Sequence, residues 1–141
     1  MKLSTRARYA LRMMVELTRL TNEIDDSISL ARIAEVTRIS RRYLEQLAIV
    51  LKNGSLIRGK TGKGGGYRLA RPADQITAGQ IIEASIGQIN IVDCVMDPES
   101  CSMVDDCGCR SVYCDINSRI ADALNDLPLD ALANKHRISN N

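Results

Sequence analysis

Residues 40–69 read SRRYLEQLAIVLKNGSLIRGKTGKGGGYRL, a stretch that predicts a helix followed by a β-hairpin. Ser40 is a good N-cap for a helix whose apolar residues recur at helical spacing. These apolar residues are Leu44, Leu47, Ala48 and Leu51. Asn53 and Gly54 predict a left-handed end to this helix. Two short strands at 55–58 and 67–70, joined by a glycine-rich basic loop at 59–66, predict a hairpin that forms a wing.

The residues before this stretch complete a helix-turn-helix. An amphipathic helix with a basic exposed face is predicted over 3–20, and a polar stretch at 21–27 ends it. Ser29 is the N-cap candidate of a second helix, which leads into the third after residues 37–39. Two short helices joined by three or four residues and followed by a wing are typical of a winged helix-turn-helix.

The residues beyond the wing are again helical. Thr77 and Gln80 form a capping box that opens a helix through Ile86, whereas residues 93–109 show no periodicity. A last long helix carries one apolar stripe, Pro128 interrupts it, and a short helical turn at 129–132 precedes a polar tail. The stripe consists of Val112, Ile116, Ile120, Leu124 and Leu127. The predicted fold is mainly α with a small β-wing.

Length and charge limit the organisation of the chain. With 141 residues it is too short for two full-sized domains, so 1–75 and 76–141 are expected to form one compact unit. The net charge of +2 conceals +9 over residues 1–71, from 15 Lys and Arg against six Asp and Glu, and −7 over residues 72–141. No run of 18 apolar residues and no signal-peptide core are present, which predicts a cytoplasmic protein without a membrane partner.

The basic half predicts DNA binding. Residues 38–71 carry nine Lys and Arg and one acid, Glu45. The exposed N-terminal face of the third helix would meet base edges in the major groove, and the wing would meet phosphates or the minor groove. The candidate DNA-binding residues are Arg41, Arg42, Tyr43, Glu45, Gln46, Lys60, Lys63 and Arg68. A charge run alone would indicate a solvated face, but the wing favours DNA. No catalytic triad, phosphate-binding loop or His-rich site indicates an enzyme.

All five cysteines lie within residues 94–114, in the acidic half. Thiols stay reduced in the cytoplasm, so the cluster indicates a metal site or redox sensing more than disulfides. The gaps between successive cysteines are six, five, one and four residues, which differ from the paired knuckles of structural zinc sites. An iron–sulfur cluster tolerates wider spacing, but spacing alone leaves zinc open. His136, in the polar tail, is expected to be solvated.

Three segments resemble one family. They are residues 1–10, MKLSTRARYA; residues 39–47, ISRRYLEQL; and residues 64–69, GGGYRL. Together with Cys94, Cys101 and Cys107 they are similar to the IscR/NsrR/CymR family of bacterial winged-helix regulators, also called Rrf2-type. The resemblance covers residues 1 to about 133. It implies a homodimer in which the long C-terminal helices cross, and binding to an imperfect palindrome in double-stranded DNA.

The resemblance also implies that Cys94, Cys101 and Cys107 ligate an iron–sulfur cluster, expected as 2Fe–2S rather than 4Fe–4S. Its loss, oxidation or nitrosylation would change DNA affinity. The family's known fourth ligands are missing, because Arg110 stands in place of a His and Arg residues occupy positions 8 and 12 in place of an acid. Cys109 is the favoured substitute, with Asp105, Asp106 or Cys114 as the alternatives.

The predicted function is therefore a sequence-specific transcriptional regulator, expected to be a repressor, which the cluster makes a redox sensor. The alternatives are a cluster-free regulator of the same fold, controlled by thiol redox or a protein partner, and a zinc-stabilised DNA-binding protein.

Overall fold

The computed structural model describes the backbone of residues 1–139 and the side chains of residues 1–135. In this part of the chain, the structure consists of helices and one small two-stranded antiparallel sheet. The helices are α1 (Thr5–Ile24), α2 (Leu30–Thr37), α3 (Arg41–Asn53), α4 (Ala78–Ile86), α5 (Asp93–Met96), α6 (Arg110–Asn125) and α7 (Leu129–Ser139), with strands β1 (Ile57–Lys60) and β2 (Gly66–Leu69). None of the described helices has the length and hydropathy needed to cross a membrane.

Side-chain caps start the helices where the sequence predicts. The hydroxyls of Ser29 and Ser40 accept the backbone N–H groups of Arg32 and Tyr43, and the capping box predicted at α4 forms in full. At α1 the cap is Ser4, so the helix begins after Leu3. It also runs beyond the predicted end at residue 20, as far as Ile24, and the Thr21 hydroxyl donates to the Leu17 carbonyl within it.

The end of α3 differs from the prediction. Gly54 has φ −78°, which is not left-handed, and Ser55 adopts φ 58° instead. Gly54 has a packing role, since a Cβ at this position would lie 3.0 Å from the Cβ of Ala84 on α4. The predicted left-handed stop at Gly54 is therefore wrong, and the turn through Ser55 delays β1 until Ile57.

The core is aliphatic and is centred on α1. This helix packs against α2, α3, α4, α7 and β2, and thus joins the basic half to the acidic half. Its own fully buried side chains are Ala7, Ala10, Met13, Met14 and Leu17. They meet the apolar faces predicted for α3 and α4, whose buried members include Leu44, Leu47, Leu51, Ile81 and Ile82.

The C-terminal half departs most from the predictions. Residues 93–109 contain a one-turn helix, α5, and a 3₁₀ turn at Pro98–Ser100. The final element is not a single turn followed by a tail but the 11-residue helix α7, which the Leu129 N–H anchors to the Ile76 carbonyl at 2.7 Å. The His136 side chain, predicted to be solvated, lies outside the described residues.

Helix α6 turns its apolar stripe outward. Its buried residue is Asn117, whereas Val112 and Ile116 are 54% and 38% exposed. Residues Ile120, Leu124 and Leu127 of the predicted stripe are half-buried. The stripe therefore exists, but much of it lacks packing within this chain.

The wing is fastened to the helices by a backbone bridge. The Ile28 and Tyr67 backbones exchange two N–H···O hydrogen bonds, each 2.8 Å long. Gly66 makes this approach possible, because a Cβ there would lie 2.2 Å from the Ile28 carbonyl oxygen. The third glycine of the Gly-Gly-Gly-Tyr motif is thus a steric requirement of the wing.

We expect Gly66→Ala to lower the free energy of unfolding by about 1–3 kcal/mol, because separating the two backbones leaves buried polar groups unpaired. Urea unfolding followed by circular dichroism measures this loss. Gly108→Ala is the matched control, since a Cβ at Gly108 meets no atom within 4 Å. Equal unfolding midpoints for Gly66→Ala and the unmodified protein would contradict this role.

Candidate DNA-binding surface and cysteine segment

The exposed face of α3 presents four of the predicted DNA-binding residues. Arg41, Arg42, Glu45 and Gln46 are all exposed, because the core takes up the opposite face of the helix. Arg41 Nε lies 3.7 Å from Glu45 Oε1, but both side chains are more than half exposed. A solvent-exposed pair of this kind is weak, so the two groups remain available to a ligand.

Tyr43, a fifth predicted DNA-binding residue, is placed differently. Its ring is half-buried and meets the ring of Tyr9 edge to face, with centroids 5.4 Å apart. The Arg12 guanidinium lies over Tyr9 at 5.0 Å and its Nη1 donates to the Thr37 carbonyl. The Tyr43 ring therefore anchors the start of α3 to α1, and its DNA contact stays a prediction.

The three predicted wing cations have different surroundings. Lys63 is exposed at the tip, whereas Arg68 on β2 is half-buried. Lys60 Nζ lies 3.6 Å from Asp26 Oδ1. The pKa of Asp26 is lowered, first by the hydrogen bond from the Ser27 N–H and then by the charge of Lys60. Lys60 therefore already faces a carboxylate, with which a phosphate would compete.

Arg58 is a wing cation that the sequence analysis did not select. It pairs directly with Arg68 across the two strands. Like charges placed directly opposite each other on a sheet destabilise it, so a bound anion would relieve this pair. The register of the hairpin reveals the pair, and the sequence alone could not do so because the predicted strands were displaced by one or two residues.

A cleft of about 320 Å³ separates the wing from α3. Cationic side chains line it from both elements, and the wing backbone forms one wall. The lining includes Ser29, Arg41, Lys52, Lys60 and Tyr67. The arrangement is a concave, positively charged surface of the kind that electrostatic attraction to a polyanion requires.

The cysteines occupy four different environments. Cys94 lies on α5 and is buried, Cys101 and Cys107 are half-buried in the following turns, and Cys109 is the exposed N-cap residue of α6. Cys114 is half-buried in the first part of α6. The acidic residues of the segment are exposed, namely Asp93, Asp97, Glu99, Asp105 and Asp106.

Tyr113 lies one turn after Cys109 on α6 and interacts electrostatically with three of these thiols. Negative charge on Cys109, and to a smaller extent on Cys107 and Cys94, raises the pKa of the Tyr113 hydroxyl. Arg110 lies beside the same group, because its Nη2 donates to the Cys94 carbonyl at 3.3 Å. Its Nε is buried and has no hydrogen-bond partner among the described residues.

These residues fit a thiolate-bound anionic group in their chemistry. The segment supplies soft thiol donors, and the buried Nε of Arg110, without a hydrogen-bond partner among the described residues, is a cationic donor that an anion would satisfy. In residues 1–135, no three His, Cys, Asp or Glu side chains are grouped closely enough to hold a metal ion. The thiols would therefore have to move toward each other to share one.

Asn117 positions the start of the cysteine segment and was missed by the sequence analysis. Its Oδ1 accepts the Ile91 N–H at 2.9 Å and its Nδ2 donates to the Ile89 carbonyl at 3.1 Å. The Asn117 side chain thus supplies the hydrogen-bond partners for the backbone of residues 89–91 that another backbone segment would otherwise provide. A lone Asn in an amphipathic helix reads as a solvated residue, so no signal in the sequence could have found it.

The chain resembles known regulators over nearly its whole length. Residues 3–135 match the model of the Rrf2 family, described as iron-dependent transcriptional regulator. The HTH-type transcriptional regulator IscR of Pectobacterium atrosepticum is 34% identical over 140 residues, covering 99% of this chain and 84% of that protein.

Two solved structures share the fold. CymR, the global cysteine regulator of B. subtilis, superposes with a TM-score of 0.77 at 33% identity, covering 96% of this chain and 98% of that one. The oxidised form of Staphylococcus aureus CymR gives a TM-score of 0.71 at 34% identity and covers 94% and 96% of the two chains. Sequence and fold agree, and the chain belongs to the Rrf2 family and is a DNA-binding transcriptional regulator rather than an enzyme.

Proposed function

We propose that this regulator is a homodimeric repressor that reads an imperfect DNA palindrome with α3 and the wing, under the control of its cysteine segment. The observation that carries the proposal is the exposed face of α3 beside the cationic cleft of the wing. Residues 1–75 supply this surface and residues 76–141 supply the control and the dimer contact, within one compact unit.

Base readout is assigned to α3. Arginine recognises guanine with two hydrogen bonds, glutamine pairs with adenine, and a carboxylate accepts from the cytosine amino group. Arg42, Glu45 and Gln46 carry these groups on one exposed face. We assign contacts with the sugar-phosphate backbone of DNA to Arg41, the Tyr43 hydroxyl and the wing cations Lys60, Lys63 and Arg68. Such contacts set the position and the affinity of the protein on DNA and carry no sequence information.

A second copy of the chain is the occupant that we propose for the apolar stripe of α6. The stripe continues into a groove of about 690 Å³ between the N-terminus, α4 and α6. Apolar residues of this groove include Met1, Leu3, Ile82, Ile86, Ile120 and Leu124. A palindrome requires two recognition helices about one DNA turn apart, and a two-fold pairing of α6 provides them.

For the cysteine segment we propose ligation of an iron–sulfur cluster by Cys94, Cys101 and Cys107, with Cys109 as the fourth ligand. A 2Fe–2S cluster, once bound, supplies sensitivity to oxidation and nitrosylation. The Arg110 guanidinium, held at the Cys94 carbonyl, would balance negative charge there. The family description as iron-dependent supports this assignment. Asn117 would transmit changes in the segment to α6 because it fixes residues 89–91 on that helix.

Thiol chemistry without a cluster is a second candidate. Two observations favour it: the described residues contain no group arranged to hold a metal, and the structural relatives include a cysteine regulator and an oxidised form of CymR. Cys109 is the exposed thiol at the start of α6, where oxidation would act on the helix directly.

Arg42→Ala should weaken binding to the preferred duplex by about 1–3 kcal/mol and relax the base preference at one position in each half-site. Fluorescence anisotropy measures both effects, with the preferred duplex selected from a random pool by the unmodified protein and with single-base variants of that duplex. Lys63→Ala is the comparison, since loss of a phosphate contact should weaken all sequences alike and reduce the salt slope by about one. If Arg42→Ala weakened binding to all duplexes equally, Arg42 would contact the DNA phosphates and not a base.

Ile116→Glu should give a monomer, because it puts a charge into the apolar stripe of α6. Sedimentation velocity measures the oligomeric state. Ile24→Glu is the matched control, since Ile24 is also exposed but lies at the far end of α1. A dimer that survives Ile116→Glu would exclude α6 as the contact.

Cys94→Ala should abolish the visible absorption, iron and sulfide of anaerobically purified protein, and Cys114→Ser should preserve all three. DNA affinity before and after cluster removal then tests control by the segment. Protein that is colourless when purified without oxygen contradicts the cluster. Stoichiometric zinc with unfolding by chelator would then indicate a zinc site, and DNA affinity that changes on mild thiol oxidation would indicate the thiol candidate.

A further inference from the structure

Ile49 is an apolar side chain on the surface assigned to DNA. It is 61% exposed, and among the exposed large apolar side chains of the described residues only Met1 is more exposed, at 92%. Single exposed apolar residues are common and need no explanation by themselves. The position of Ile49 on α3 is what makes it informative.

Ile49 lies in the middle of the exposed face of α3. At about 100° per residue, it falls about 20° from Arg42 and about 60° from Gln46 around the helix axis. The buried Leu51 is about 160° away, on the opposite side of the helix. Ile49 therefore shares the face of the proposed base-reading side chains, about 10 Å farther along the helix than Arg42.

The side chains around Ile49 and the chemistry of the major groove indicate one kind of group that Ile49 can contact. Arg42, Glu45 and Gln46 have hydrogen-bonding groups, whereas Ile49 offers only methyl and methylene groups. The major groove presents donors, acceptors and a single kind of apolar group, the 5-methyl of thymine. The surrounding charges of Arg42, Glu45 and Lys52 argue against a protein partner, because the core of a protein interface is depleted in charge.

We propose that Ile49 packs against the 5-methyl group of a thymine and makes this base a requirement of each half-site. The inference rests on the proposed placement of α3 in the major groove. It adds a determinant of sequence specificity that involves no hydrogen bond. The thymine concerned is a different base from the one that Arg42 reads.

The test removes only the methyl group. Preferred duplexes are selected from a random pool with the full-length protein, and each thymine is then replaced in turn by deoxyuridine. We expect one replacement in each half-site to weaken binding about fourfold, the value of one buried methylene-sized group. Ile49→Ala should weaken binding to the thymine duplex and lose this methyl dependence. Arg42→Ala, the matched control, should bind less tightly and keep it.

The outcomes separate this inference from the proposed function. If the unmodified protein selects no sequence, base readout by α3 is wrong and the inference fails with it. If a sequence is selected but no methyl matters, or if Ile49→Ala keeps the methyl dependence, the inference alone is overturned. Far-ultraviolet circular dichroism checks that the Ile49→Ala protein is folded, as expected for an exposed position.

Discussion

Burial of the apolar face of α1 holds α2, α3, α4, α7 and the wing together. Without Phe or Trp, the core relies on close packing of aliphatic and methionine side chains. Met13, Met14 and Leu17 are fully buried between the helix-turn-helix and the C-terminal helices. Helix α1 packs against α3 directly and against α4, and α4 in turn packs against α6, so the positions of α3 and α6 are linked through α1 and α4.

Hydrogen bonds between helix ends add to the contacts made by this packing. Arg6 on α1 donates from Nε to the Ser85 carbonyl at 2.7 Å, which ties the start of α1 to the end of α4. At the other end of α4, Thr77 Oγ1 donates to Asn125 Oδ1 of α6, and Gln80 Oε1 accepts from Arg71 beyond the wing. A continuous set of hydrogen bonds therefore connects the end of α6 with the end of the wing.

The local parts of the fold were predictable because their causes are local. N-caps at Ser29 and Ser40 and the capping box at Thr77 act within a single turn, so one sequence contains the information. The end of α3 was not predictable in the same way. Gly54 is needed for contact with Ala84, 30 residues later, and the left-handed turn passes to Ser55.

The winged helix-turn-helix, the charge division and the grouping of five cysteines could be predicted from the sequence, since periodicity, caps and composition are properties of neighbouring residues. The tertiary structure was needed to show that Arg58 faces Arg68, that Asn117 is buried against residues 89–91, and that none of the other described elements covers Ile49. The physical reason is that strand register and the burial of a side chain depend on partners distant in the chain. Periodicity identifies the two faces of a helix, and packing determines what each face meets.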